Sequence, residues 1–347
     1  MALRQRPDPT DIPTGVPGLS DAQLGTVAED RLATAIELSA AGSVAVAFPL
    51  LDLGFDLYPR RIRTLRAHPV QVKARSFLEP DGEFQVSAGS LHPDPNGYVL
   101  LPYVPPPDWQ LQPRLWAIPI PEFLKLAVPH GDGYLFSGYL DGRFPRPANQ
   151  FLVDANQLQR QWLDKIAGWK DPVHGPRLPP QSAVQAVPRP ASRAFGKYGE
   201  LWVASQLMRT GLQNVVVAAD RLRVDCLDLL LHDLRSFGVA GLVVHTSTVN
   251  ARGVVQFRIR QETFFTDPHL FVVVLPCHDD GELHDTAFLI PAADIPAITT
   301  ISSDRGDPGY QGSFRLDPLA EKMRPYAVPV EKLGATILER LFPSQHS

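Results

Sequence analysis

The sequence is short of cysteine: Cys226 and Cys277 are the only two in 347 residues, and no CxxC spacing occurs. Neither a disulfide framework nor a thiolate zinc site is open to it, which fits a reducing compartment. Long apolar runs are missing as well. No stretch approaches the roughly 18 residues of a membrane span, and the opening MALRQRPDPTDIPTG has no apolar signal core. A soluble, cytoplasmic protein without a membrane partner is expected. Charge of one sign is not in excess either, with Lys+Arg 33 against Asp+Glu 37 and a net charge of −4. That excludes a polybasic wrapper of nucleic acid and leaves room for a local basic cleft. Walker A, GxSxG and HExxH motifs are absent, as is a GxGxxG following a strand, so nucleotide-dependent, serine-hydrolase, zincin and Rossmann chemistries have no support.

Proline is what the chain has in quantity, and its placement divides the sequence. Six of the 35 prolines fall in 171–191, DPVHGPRLPPQSAVQAVPRPA, which reads as an extended linker. A Pro-rich irregular leader is expected over 1–19, with domains over 20–170 and 192–343. The two halves look like copies of one unit. Leu24, Ala28, Leu32 and Ile36 make a helical stripe, and an offset of 171 carries them to Phe195, Gly199, Val203 and Leu207, with Glu29 falling on Glu200. At an offset of 172, Asp56 falls on Asp228, Gln71 on Val243, Lys73 on His245 and Pro119 on Pro291; at 176, Tyr134 falls on Tyr310.

Each copy reads as a helix, a series of strands and a closing helix. In the first, Ser20 and Gln23 form a capping box for a helix ending near Gly42. Strands are predicted over 44–48, 55–59, 70–74, 83–88, 98–104, 115–118 and 134–140, with a short helix from Pro121 and a last one capped by Asp154. The expected fold class is α/β (α+β), two tandem domains, each a mixed central sheet flanked by helices.

One constellation in the first copy carries chemistry: Glu29 on the first helix, Asp56 in GFDLY, and Gln71 with Lys73 in VQVKA. Residues two apart on a strand point the same way, so Gln71 and Lys73 share a face and Val72 packs behind them. Oxygen donors beside a fixed ammonium suit Mg²⁺-assisted phosphodiester hydrolysis.

Here the sequence resembles the PD-(D/E)XK nuclease superfamily, the fold of many restriction endonucleases, archaeal Holliday-junction resolvases and Mrr-type enzymes. The resemblance rests on E…GFD…QVK and covers about 23–126. It implies a restriction endonuclease-like fold and Mg²⁺ as cofactor. Asp56 would be the main metal ligand, Gln71 a second through its side-chain carbonyl, and Val72 a third through its backbone carbonyl. Lys73 would orient or deprotonate the attacking water, and Glu29 would be the helix acid. Gln71 departs from the commoner Glu or Asp; it matches the Mrr-like variant and removes one negative charge.

The second copy keeps Glu200 and Asp228 but has Val243 and His245 where Gln71 and Lys73 stand, which makes it a degenerate partner. Charge divides the same way. Between Asp56 and Arg75 the basic residues Arg60, Arg61, Arg63, Arg66, Lys73 and Arg75 face one acid, whereas Arg235 alone stands in the aligned span of the second copy. The arginines are expected on an exposed hairpin turn, contacting the phosphates of nucleic acid, DNA ahead of RNA. The expected function is a Mg²⁺-dependent DNA endonuclease with one competent and one degenerate domain. The alternative is a non-catalytic nuclease-fold protein that binds nucleic acid or protein. Cys277, His278 and His284 in PCHDDGELHD read as a turn rather than a zinc site.

Overall fold

The computed structural model describes residues 19–343 except 52, 80, 89–90, 132, 144–146, 170–189, 212–213, 221–225, 279 and 304–307. Nearly all of the expected leader and linker therefore lies outside the described residues.

The first half runs α1 (Asp21–Ser39), β1 (Val44–Pro49), β2 (Tyr58–Arg61), β3 (Val70–Val72), β4 (Phe84–Ala88), β5 (Tyr98–Pro102), β6 (Arg114–Pro119), α2 (Ile120–Leu126), β7 (Val128–His130), β8 (Gly133–Gly138) and β9 (Leu152–Asp154). The second runs α3 (Pro190–Thr210), β10 (Val215–Asp220), β11 (Leu229–Asp233), β12 (Val239–Thr248), β13 (Val254–Arg260), β14 (Leu270–Cys277), β15 (Thr286–Pro291), α4 (Ile295–Ile298), β16 (Thr300–Ser302), β17 (Gly309–Arg315), β18 (Ala327–Pro329) and α5 (Leu333–Leu341). The architecture is mixed α/β, with mixed sheets and flanking helices, as the sequence led us to expect.

Local signals account for the ends of α1. The Ser20 hydroxyl accepts the Gln23 backbone N–H at 3.3 Å while the Gln23 side chain accepts that of Ser20 at 2.9 Å, so two otherwise orphaned donors are satisfied. Beyond the last turn Gly42 takes φ 81°, a conformation glycine adopts without strain. Leu24, Ala28, Leu32 and Ile36 are buried, as the stripe predicted.

The chain divides into two compact units, 1–40 with 70–172 and 41–69 with 173–347. In the first unit, β3-β5-β6-β9 form one sheet and β4-β8-β7 another. The pair β3–β5 is parallel and the other ladders are antiparallel. In the second unit, eight strands in the order β18-β15-β14-β12-β11-β10-β1-β2 form the main sheet, and β13-β17-β16 form a smaller one. Val203, Leu207, Leu333 and Ile337 of α3 and α5 pack on Leu242, Val244, Val273 and Leu275 of the main sheet, the apolar burial that stabilises this layer.

This division departs from the expected boundaries in one segment, 41–69. The cause is a long-range pairing. β1 lies antiparallel to β10 with Ala47 opposite Asp220, Phe48 opposite Ala219 and Pro49 opposite Ala218. Strand β1 begins 171 residues before β10, as the helix offset requires, so Phe48 pairs with its own counterpart.

Pairing schemes recur between the halves. The ladders β1–β2 and β10–β11 place Val44 opposite Arg61 and Val215 opposite Asp233, which puts Arg60 at the position of His232. Tyr98 faces Pro119 and Phe271 faces Pro291. Relative to these anchors, Gln71 pairs with Val99 and Val243 with Val272.

Candidate functional site

Strand β3 belongs to the first unit and carries Gln71, flanked at its end by Lys73. Gln71 is 6% exposed, and its Oε1 has no hydrogen-bond partner among the described residues. Lys73 is partly buried, its backbone N–H donating to the Leu100 carbonyl at 3.0 Å. Its ammonium makes no ion pair or hydrogen bond among the described residues. Val72 between them is buried and paired with Leu100. A buried amide oxygen without a donor costs about 1–3 kcal/mol, so two neighbouring polar groups are held here without internal partners.

Glu29 is in the same unit, partly buried on α1, with a carboxylate oxygen 3.8 Å from where a β-carbon on Gly25 would lie. Asp56 is partly buried and belongs to the other unit, within 41–69.

The arginines depart from the expected exposed turn. Arg60 is fully buried; its guanidinium donates to the Thr64 carbonyl at 3.0 Å and the Arg61 carbonyl at 3.3 Å. It holds the turn shut from within, because β2 needs its alternate residues inside the sheet, and that corrects its expected place on the surface. Arg61 and Arg63 are partly buried. Arg63 takes φ 61° and donates to the Glu262 carbonyl. Arg66 is exposed, with its backbone N–H on the Thr64 hydroxyl at 3.1 Å. In the first unit Arg75 donates from Nε to the Gln85 carbonyl at 2.7 Å and lies 5.6 Å over the Phe77 ring.

In the second copy Asp228 is tied to β12: its Oδ2 accepts the Val244 backbone N–H at 2.7 Å, and its own N–H donates to the Leu242 carbonyl at 2.9 Å. Glu200 is 4% exposed and paired with Lys197 at 3.1 Å. Val243 is buried. His245 is partly buried, and its Nε2 is buried without a partner among the described residues, with Phe257 6.1 Å away between ring centres. Burial pushes its pKa down to about 4, so the imidazole is neutral where the first copy has an ammonium.

Sequence reasoning missed the buried contact between Tyr58 and His232, whose hydroxyl and Nδ1 lie 3.1 Å apart with Phe55 alongside. Non-local pairing creates it, and no local pattern announces it. At the turn after β14, the His284 Nδ1 accepts the Thr286 backbone N–H at 3.1 Å and the Cys277 thiol, raised by burial to about 11, donates to the Leu275 carbonyl. Both groups are engaged in the turn. Among the described residues no three His, Cys, Asp or Glu side chains gather closely enough to hold a metal, and no helix is long and apolar enough to cross a membrane.

Compared with known proteins, the chain matches no family model and no curated protein.

Proposed function

We propose that the chain is a Mg²⁺-dependent nuclease-type hydrolase of DNA, with its chemistry in the first copy and the second copy silent. The observation that carries this reading is the buried Oε1 of Gln71 beside the ammonium of Lys73, neither with a partner among the described residues. Unsatisfied polar groups are rare in interiors and persist where a ligand satisfies them. Their neutralised counterparts, Val243 and His245, mark the same positions on a strand of matching register.

The donor chemistry of this strand fits a hard cation. Mg²⁺ takes oxygen ligands, commonly one or two carboxylates completed by neutral oxygens and water, and the Gln71 Oε1 and the Val72 backbone carbonyl are neutral oxygens. Asp56 and Glu29 enter the ligand set through the resemblance of E…GFD…QVK. Bound there, Mg²⁺ would supply charge neutralisation for the phosphate. Lys73 places an ammonium two residues from Gln71, suited to a non-bridging phosphate oxygen or to the water that attacks. A cytoplasmic location goes with this reading, on two cysteines that form no disulfide.

Incubation of the full chain with DNA and Mg²⁺ tests the proposal. Lys73→Ala should lower cleavage by ~100-fold or more while leaving DNA affinity near that of the unmodified chain. Asp56→Ala should abolish the Mg²⁺-dependent signal, and Asp228→Ala should leave it intact. Equal cleavage by Lys73→Ala, or no cleavage by the unmodified chain with any divalent cation, overturns the hydrolase. The second reading, a non-catalytic nucleic-acid or protein binder, is favoured by the absence of a three-acid group among the described residues.

A further inference from the structure

The smaller sheet of the second unit has two unlike faces. Val255, Phe257 and Ile259 of β13 and Phe314 of β17 are buried, and Phe314 packs against Phe288 of the main sheet at 4.7 Å between ring centres. The period of two then puts Gln256, Arg258 and Arg260 on the opposite face. The register sets Gln256 opposite Ser313, Arg258 opposite Gln311 and Val254 opposite Arg315, and places Thr300 of β16 on the other side of Gln311. Arg260, Arg315 and Ser313 are exposed and Arg258 is partly buried. No Asp or Glu occurs in β13, β16 or β17; the acids of the adjoining connections in the sequence include Glu262, Asp304, Asp307 and Asp317. A cleft of about 450 Å³ opens beside this face, lined in part by Thr300, Gln311, Ser313 and Lys322.

The arginine turn of the first copy joins the same surface. Arg63 donates to the Glu262 carbonyl, two residues past Arg260. A β-carbon on Gly241 would meet Leu65 and Leu227, while His245, four residues along β12 and pointing the same way, lies by Phe257. The turn and the small sheet thus cover one face of the main sheet. The corresponding sheet of the first copy lacks this charge. Its ladder sets Gln85 opposite Ser137, as Gln256 stands opposite Ser313, but Ser87 and Tyr139 occupy the positions of Arg258 and Arg315.

We propose that the outer face of β13, β17 and β16 holds the phosphate backbone of duplex DNA. Guanidinium groups interspersed with amides and hydroxyls suit phosphate oxygens. The aromatic rings of these strands, Phe257, Tyr310 and Phe314, fall at inward positions, so no platform for stacking unpaired bases exists on the face. Contacts of this kind carry no sequence preference. The assignment rests on the nucleic-acid reading above and is independent of hydrolysis, because it uses none of the residues around Gln71.

Titration of a labelled DNA duplex with the full chain at several salt concentrations tests it. In Arg260→Ala/Arg315→Ala the magnitude of the slope of log affinity against log salt should fall by about 1.8, with affinity at low salt reduced on the order of 10-fold. Ser313→Glu, an exposed change that removes no existing charge, should weaken binding as well and covers the case of a misfolded double variant. A chain that binds duplex equally well with both surface variants overturns this face and leaves the nucleic-acid reading standing. Tighter binding to a single strand than to the duplex overturns the assignment to paired DNA. No binding by the unmodified chain at low salt overturns both.

Discussion

Strands β3 and β12 occupy matching places in two similar pairing schemes, and their side chains differ. In β3 the sheet accepts a buried Gln71 whose oxygen has no donor, and is followed by an ammonium with no counter-ion, among the described residues. In β12 the same two positions are Val243 and a neutral His245, and the nearby acid Asp228 has become a brace for the Val244 backbone. The second strand is ten residues long where the first is three. With Val243 at the place of Gln71, β12 continues as an apolar strand, whereas β3 ends beside a buried amide oxygen that has no donor among the described residues.

Three changes would break or sharpen this contrast. The largest effect is expected at the paired positions Arg60 and His232, both buried on matching strands. Arg60→Ala empties a fully buried site and takes its donor from the Thr64 carbonyl, and should lower stability by ~3 kcal/mol or more, read as a shift of the urea midpoint. A loss below about 0.5 kcal/mol, usual for a surface substitution, would return Arg60 to the solvent-exposed turn. Next comes acid sensitivity. His245 is depressed to about 4 from 6.5, so the unfolded chain binds a proton that the folded chain refuses in that window. Stability should fall as pH drops from 6.5 towards 4, by on the order of 3 kcal/mol, and His245→Leu should flatten that part of the profile. An identical profile in the variant would show the imidazole to be solvated. The smallest effect has the opposite sign. Gln71→Val copies the second strand into the first and should raise stability by ~1 kcal/mol while removing Mg²⁺-dependent cleavage. A destabilised variant would mean that the Gln71 side chain is answered inside the fold.

Much of this was legible in the residues. The capping box at Ser20 and the stripe from Leu24 to Ile36 fixed α1 to within a few residues, because helix signals are local. The offsets near 171 and 172 placed Gln71 against Val243, and the ladder registers agree with that alignment. What escaped was set at long range. The predicted strand 55–59 is found at Tyr58–Arg61, since Arg60 and Arg61 look like turn residues until Ala45 and Val44 are seen opposite them. Nothing near Asp56 in sequence announces that 41–69 clusters with the second half; that outcome depends on β10, far along the chain. The basic face was hidden for a similar reason. Arg258, Arg260 and Arg315 are scattered over two segments, and only the β13–β17 register brings them side by side.

The pairing of Phe48 with Ala219 has a consequence for how such a chain can change. A strand that meets its own counterpart antiparallel, pairing outwards from one residue set opposite its equivalent, is the contact two identical subunits make across a two-fold axis. In a homodimer every substitution appears twice, so a site cannot be discarded on one side and kept on the other. Here the two sides are encoded separately, and a change on one is not copied to the other. A valine at 243 leaves the glutamine at 71 untouched, and arginines can accumulate on one small sheet while the opposite one stays neutral. Asymmetry of labour between two halves of a symmetric contact becomes available only when both halves are written into one polypeptide.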